Sequence, residues 1–456
     1  MRDFQRAARW ADFIFLAILL SGCVIPVSAQ EPDWESVRGE LTGLLQKLVQ
    51  IDSVNPPGNE MRVCRELQAF FRREGIDSRI YKVGDGRANL VARLKGNGAQ
   101  KPILLVAHTD VVPFEAEEWS VEPLSGEIRD GYLYGRGALD DKGMVAVEAM
   151  TLALLKRHEV ALQRDIVFLA TADEEAGGEA GMGWMLEHHR AELEAAFALN
   201  EGGRIVTRAG KPLYVGIQNS EKMAFNIRLI AFGSSGHAAV PRLDNPIYSL
   251  AQALNRLEEL SQRPRMTPVT QAFFEGIAPF DRSFRIEEGR VVTNESLYKA
   301  LLTNTVSPTM IGGGVKSNVV PATAEVNLNC RLLPGQNVEE FVAQLRDAIG
   351  SGPFELKYAP RAALPDPSSQ QGLGFILTEQ VCRELFPGTP IVPYLSPGMS
   401  DGTRLRRAGI PTYGLLPFPL DESESWRLHG KDERVSLDGL LLGLKLVYRL
   451  AGLAGK

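Results

Sequence analysis

Three short apolar runs constrain this chain most, because each one stops directly at residues that carry chemistry. Residues 103–107 (ILLVA) lead into His108-Thr109-Asp110, residues 166–170 (IVFLA) lead to Asp173-Glu174-Glu175, and residues 197–199 (FAL) lead to Asn200-Glu201. A continuous apolar run bounded by polar residues suits a strand buried on both faces. Helical patterning over 142–158 and 183–194 separates the runs. Strands alternating with helices predict an α/β fold whose mixed, mostly parallel sheet is flanked by helices. Ligands of such sheets gather at the carboxyl ends of the strands, so residues far apart in sequence are expected to share one crevice.

The rest of the chain reads as two framing parts and an insertion. Residues 34–51 place Leu41, Leu44, Leu45 and Leu48 at helical spacing, residues 53–58 (SVNPPG) break that helix, and 62–74 suggest a second one. From Tyr214 the pattern changes to an α+β unit, with strands at 225–232, 324–332 and 354–358 and helices at 245–260 and 338–349. The stretch 263–303 is poorly periodic and is expected to be a long excursion on that unit. Short strands and helices return after residue 363, and His429 lies among them. The predicted organisation is a leader at 1–29, a first catalytic part at 30–217, an inserted lid and dimerisation unit at 218–362, and a second catalytic part at 363–456.

A chain of 456 residues with 44% hydrophobic and 23% charged residues is a soluble globular protein of two or three domains. Its net charge of −6 and the lack of a basic stripe argue against nucleic acid as a partner. Arg2, Arg6 and Arg9 precede an apolar run at 13–20, and Val27-Ser28-Ala29 offers a small-residue cleavage site, the pattern of a secretory signal. Leu20-Ser21-Gly22-Cys23 overlaps it as a lipobox that would leave a lipid anchor on Cys23. An uncleaved anchor is the third reading, on a segment short for a span and interrupted by Pro26. All three readings place the protein outside the cytoplasm, periplasmic or secreted or membrane-anchored. Cys64, Cys330 and Cys382 lack CxxC spacing and read as small buried apolar residues.

The motifs gain weight together. His108 and Asp110 stand at i and i+2, which face one side of an extended segment, so Asp110 can sit behind the imidazole, where a zinc-bound histidine usually finds a carboxylate or carbonyl, or share its pocket; alone, an HxD on a loop is common. In GRGALDDKG, Asp140 and Asp141 precede a helix, where one acid can cap and one can bridge two cations. Glu174 and Glu175 repel in one cleft unless a cation or a proton intervenes. One of them can bind metal while the other takes a proton from an activated water. Glu201 and His429 complete a set of imidazoles and carboxylates.

His108-x-Asp110, Gly135-x-Gly137-x-x-Asp140-Asp141-Lys142-Gly143, Asp173-Glu174-Glu175, Glu201 and the late His429 together resemble the co-catalytic zinc peptidases, the family of glutamate carboxypeptidases, aminoacylases and carnosinases. The resemblance covers nearly the whole chain, from about residue 40 to 450. It implies two zinc ions per subunit (cobalt or manganese also suit such ligands). His108 and Glu201 would hold one, Glu175 and His429 the other, and Asp140 would bridge them beside a cis Asp140–Asp141 bond. Glu174 would be the general base, with Asp110 orienting His108. The insertion would be the family's lid and dimerisation domain. Its Ser234–Pro241 segment would bring His237 to an active site, often the neighbouring subunit's. Asn318 and Arg331 would bind substrate, and Gly398–Thr403 would form a substrate loop.

The expected activity is hydrolysis of an amide bond in a peptide or N-acyl amino acid by an exported dinuclear zinc enzyme. A non-catalytic extracytoplasmic binding protein on the same scaffold is the alternative, and Glu174 argues against it, since a binder has no use for an unligated base.

Overall fold

The computed structural model describes residues 31–260 and 262–456; the leader, both processing sites and Cys23 lie outside these residues. Helix α1 (Trp34–Val49) buries Leu41, Leu44, Leu45 and Leu48, the stripe expected from the sequence, and Asp33 caps it by accepting from Ser36 N. Helix α2 (Glu60–Arg73) follows the proline-rich break. An antiparallel pair, β1 (Asp77–Lys82) and β2 (Ala88–Leu94), then leads to β3 (Ile103–His108). Helix α3 (Lys142–Arg157) connects β3 to its parallel neighbour β4 (Ile166–Thr171), and β5 (Phe197–Asn200) pairs on the other side of β3. Along β3, Ile103, Leu105 and Ala107 enter the core beneath the helices α1, α2 and α3, while Leu104 and Val106 enter a second core on the opposite face. That double burial is why the run is apolar at every position.

The helix expected over 183–194 is broken. A π-type turn (Glu179–Gly183), one short α-helical piece (Trp184–His188) and a 3-10 turn (Arg190–Leu193) take its place. The break falls at His189, whose backbone leaves the helical region at φ −137° and ψ 31°. Upstream, Gly181 interrupts the π-type turn with a non-helical backbone, and a β-carbon there would stand 1.8 Å from the Ala172 carbonyl, so the close approach of the two backbones admits only glycine.

Strands β6 (Arg204–Arg208) and β7 (Lys211–Glu221) follow, and β7 stays in the large sheet as far as Glu221. The chain then crosses into a smaller, wholly antiparallel sheet. Strand β8 (Met223–Phe232) is followed by α4 (Pro246–Glu258), β9 (Thr305–Gly313), β10 (Thr323–Leu332), α6 (Val338–Ile349) and β11 (Phe354–Lys357), in strand order β9-β10-β8-β11. Phe225, Ile227, Leu229, Val326, Leu328 and Cys330 alternate inward against Leu250, Phe341 and Leu345 of its two helices. Residues 268–302 depart from expectation. Helix α5 (Pro268–Ile277) and the helix Ser296–Leu302 pack Phe273, Phe274, Tyr298 and Leu301 on Tyr214, Val392 and Tyr394 of the large sheet, not on the small one. This aromatic cluster lacks a regular period, which is why it reads as an excursion.

The chain returns through α7 (Leu373–Leu385), β12 (Ile391–Ser396), α8 (Asp401–Arg407), β13 (Thr412–Gly414), β14 (Pro419–Asp421) and α9 (Leu437–Ala454). The large sheet runs β1-β2-β4-β3-β5-β13-β7-β6-β14, with β12 joined to β7. It is mixed: parallel through β4, β3, β5 and β13, and antiparallel where β1, β2 and the β6–β7 hairpin join. Among the described residues no helix is long and apolar enough to cross a membrane.

Candidate metal centre and active-site cleft

The carboxyl ends of β3, β4 and β5 deliver His108, the Glu174–Glu175 turn and Glu201 to one place. Two groups of ligand atoms form there, each with its members within 4.8 Å of one another: His108, Asp140 and Glu201; and Asp140, Glu175 and His429. Asp140 belongs to both. Its two oxygens face opposite imidazoles, with His108 Nε2 2.9 Å from Oδ1 and His429 Nε2 3.1 Å from Oδ2. His429 Nε2 also lies 3.0 Å from Glu175 Oε1. The Asp140–Asp141 peptide bond is cis.

His108, the Glu174–Glu175 turn and the Asp140 loop are held from behind. His108 Nδ1 faces the Asp110 carbonyl at 3.0 Å and its carboxylate at 3.5 Å. The Asp110 carboxylate, fully buried, accepts from the backbone N–H groups of Glu174 and Glu175 at 3.1 and 3.2 Å and from Asn55 Nδ2 at 2.7 Å. One carboxylate thus orients the imidazole and fixes the turn that carries both glutamates. Arg87 extends this support, donating to Asn55 Oδ1 and to Asp173. Burial works against the Asp110 anion, yet the His108 ring and Asn55 hold its carboxyl below the ordinary range.

Glu433 plays the same part on the other side. It is fully buried and accepts from the backbone N–H groups of Gly137, Leu139 and Asp140 and from Arg136 Nη1, all at 2.7–3.0 Å. Arg136 also donates to the His429 carbonyl at 3.2 Å, so one ion pair ties the Asp140 loop to the His429 loop. Gly137 has φ +87°, and a β-carbon there would meet Val111 at 2.7 Å. His429 and Asp173 are non-glycine residues in the left-handed region, at φ 59° and 66°. Such backbones persist where surrounding structure over-determines them.

The donor set suits cations. Burial first, and Asp140 next, push the Glu201 carboxyl up to about 8. Burial and then Glu201 raise Glu174 well above its ordinary value. Asp140 and Glu175 push the His429 imidazole up to about 11, and His108, which burial alone would depress, is held high by Asp110 and Asp140. Carboxylates packed this closely need positive charge among them, and a shared carboxylate flanked by one imidazole on each side fits two divalent ions. Two imidazoles and three carboxylates, with no thiolate, match zinc, cobalt or manganese alike. Glu174 belongs to neither ligand group, yet it lines the same cleft.

That cleft has a volume of about 580 Å³. The large sheet supplies the acidic floor, and the small sheet supplies a roof of Phe225, Asn226, Asn329 and Arg331. Arg331 Nε donates to Asn329 Oδ1 at 2.9 Å. Neither Arg331 nor Arg361, which also lines the cleft, has an ion-pair partner among the described residues. His237 and Asn318 stand elsewhere. Both are exposed, on a ribbon pairing Gly236–His237 with Val319–Val320, and neither lines the cleft of its own chain. Sequence reading passed over Asn55, Asn226, Asn329, Arg361 and Glu433. Asn329 had a signal, two residues before Arg331 on one strand face; Glu433 had none apart from its nearness to His429.

The family model described as "Peptidase family M20/M25/M40" matches residues 104–452. The chain belongs to this family, and it is a hydrolase acting on amide bonds. It is 31% identical over 383 residues to N-fatty-acyl-amino acid synthase/hydrolase PM20D1 of Bos taurus, covering 78% of this chain and 75% of that one. To Aminoacylase-1 of Homo sapiens it is 26% identical over 415 residues, covering 89% and 93%. Among solved structures, the M20 family metallo-carboxypeptidase Sso-CP2 from Sulfolobus solfataricus superposes with a TM-score of 0.72 at 21% identity, covering 91% of this chain and 99% of that one. Human carnosine dipeptidase 1 superposes with a TM-score of 0.69 at 16% identity, covering 92% and 96%. These two structures share the fold.

Proposed function

We propose that this enzyme is an exported dinuclear zinc hydrolase that cleaves the amide bond of N-acyl amino acids, and of small peptides with a free carboxylate. The observation that carries the reading is Asp140 shared between two ligand groups, with Glu174 in the same cleft but in neither group. The names of the aligned relatives, an N-fatty-acyl-amino acid hydrolase and an aminoacylase, support the substrate class. His108 and Glu201 would hold one ion, Glu175 and His429 the other, and Asp140 would serve both. When bound, the two ions polarise the scissile carbonyl and make a water acidic near neutral pH.

The chain's own groups do the rest. Glu174 takes the proton of the attacking water and returns it to the leaving amine. Asp110 keeps the His108 ring aimed at the centre. Arg331, with Asn329 beside it, grips the substrate carboxylate through its guanidinium fork, while Phe225, Met399, Leu416 and Leu428 offer apolar surface in the same cleft for the acyl part. His237 stabilises the oxyanion in the cleft of a partner subunit within a homodimer formed through the inserted unit. Asn318, beside His237 on that ribbon, contacts substrate in the same way. Export rests on the leader motif, and the mass of the mature protein distinguishes cleavage after Ala29 from lipidation at Cys23.

The test is a panel of N-acyl amino acids and dipeptides assayed with wild type and Glu174→Gln. The variant is expected to keep its metal and lose about 10²–10⁴-fold in kcat. Full activity in the variant, or activity that survives exhaustive chelation, would refute the mechanism.

A further inference from the structure

Two adjacent buried charges mark the point where the chain leaves the large sheet. Glu221 is the last residue of β7, Met223 is the first of β8, and Ala224, Phe225 and Asn226 immediately line the cleft. Glu221 is 3% exposed and Lys222 is fully buried. Burying such groups is costly unless each is fully hydrogen-bonded, and both are.

The Glu221 carboxylate binds the start of α8. Oε2 accepts from Ser400 N at 2.7 Å and Ser400 Oγ at 3.1 Å; Oε1 accepts from Thr403 Oγ1 at 2.6 Å and from the Arg406 guanidinium. Ser400 is the N-cap of α8, and its hydroxyl also accepts from Asn200 Nδ2, next to Glu201. The same helix is pinned to the catalytic turns. Asp401 accepts from Thr171 Oγ1 at 2.8 Å, and Arg404 donates to the Gly177 carbonyl at 2.6 Å. Lys222 laces the crossing from the other side, donating to the carbonyls of Ala300 and Thr303 at 3.1 and 2.9 Å, ahead of the strand β9.

Two walls of the cleft therefore meet at one carboxylate. Ser396, Gly398, Met399 and Ser400 form one, and Ala224, Phe225 and Asn226 form the other. We propose that Glu221 is a positioning residue: by fixing the crossing strand to the N-terminus of α8 it sets the spacing of these walls, and so the grip on substrate. Glu221 touches neither ligand group, so the proton-transfer machinery stays intact without it. The inference rests on the amide-hydrolase reading of the cleft.

The experiment compares wild type, Glu221→Gln and Thr403→Val in the hydrolysis of an N-acyl amino acid, with metal content and thermal midpoint measured on the same samples. Thr403→Val removes a single contact to Glu221 and serves if the first variant folds poorly. Loss of hydrogen bonds to a charged acceptor is expected to raise KM on the order of tenfold in Glu221→Gln and about threefold in Thr403→Val. In both, kcat should stay within about twofold and metal content should not change. A purely structural role would instead lower the midpoint and the active fraction and leave KM at the wild-type value, and that result would overturn the proposal. Wild type without metal-dependent hydrolysis would bring down the functional reading itself, and this inference with it.

Discussion

At the scale of single residues, the centre depends as much on its supports as on its ligands. Asp110 and Glu433 are acceptors that face backbone N–H groups, and each fixes two loops at once. His108, Asp140, Glu174, Glu175, Glu201 and His429 were legible in the sequence because the chemistry restricts residue type at those positions. Their supports were much less so. A buried glutamate that accepts from three N–H groups looks in sequence like any acid in the surface-like run GKDERV. Glu433→Gln is nearly isosteric but turns an acceptor oxygen into a donor facing N–H groups, and it leaves Arg136 unpaired in the interior. We expect metal affinity to fall about 10–100-fold, read by titration with a competing chelator. Wild-type affinity in this variant would mean that the Asp140 loop holds its shape without Glu433.

At the scale of elements, legibility followed burial pattern. Strands β3 and β4 and helices α1 and α3 were readable because each is buried in a way that imposes a period or a continuous apolar run. The break at His189 and the aromatic packing of 268–302 were not: the first falls at a residue that is neither glycine nor proline, and the second is decided by contacts with segments distant in sequence. The crossing at Glu221 and Lys222 belongs to this second kind, and Lys222 gives it a pH signature. Burial pushes its ammonium down to about 7 from an ordinary 10.5. Below about 7 the folded and unfolded chains both carry the proton, and Lys222 adds no pH dependence to stability. Between about 7 and 10.5 the unfolded chain binds more protons, so stability attributable to Lys222 rises with pH. Lys222→Met carries no titrating group there, so the stability difference between the two proteins should move in favour of wild type by on the order of 1–4 kcal/mol between pH 7 and pH 10, measured by urea unfolding of both across that range. A gap that does not vary with pH would show that Lys222 keeps its proton when folded.

At the scale of the whole molecule, the fold places an acidic floor beneath a roof carried on a separate sheet, and the ribbon bearing His237 lines no part of that cleft. Val240, Leu243, Met310, Ile311 and Val315 are exposed on the same unit, an apolar set of the kind found at protein contacts. If His237 serves a partner's cleft, His237→Ala should bind metal normally and lose about 10²–10³-fold in kcat. Mixing it with inactive Glu174→Gln should restore part of the activity, since one hybrid cleft then has both groups. No recovery on mixing, or unchanged turnover in His237→Ala alone, would remove His237 from catalysis. The central claim is more basic: two cations flank the Asp140 carboxylate. Anomalous diffraction from crystals of the zinc-loaded protein, collected on both sides of the zinc edge, tests it directly. The account predicts two peaks, one among His108, Asp140 and Glu201 and one among Asp140, Glu175 and His429. A single peak, or none between the two histidines, would contradict it.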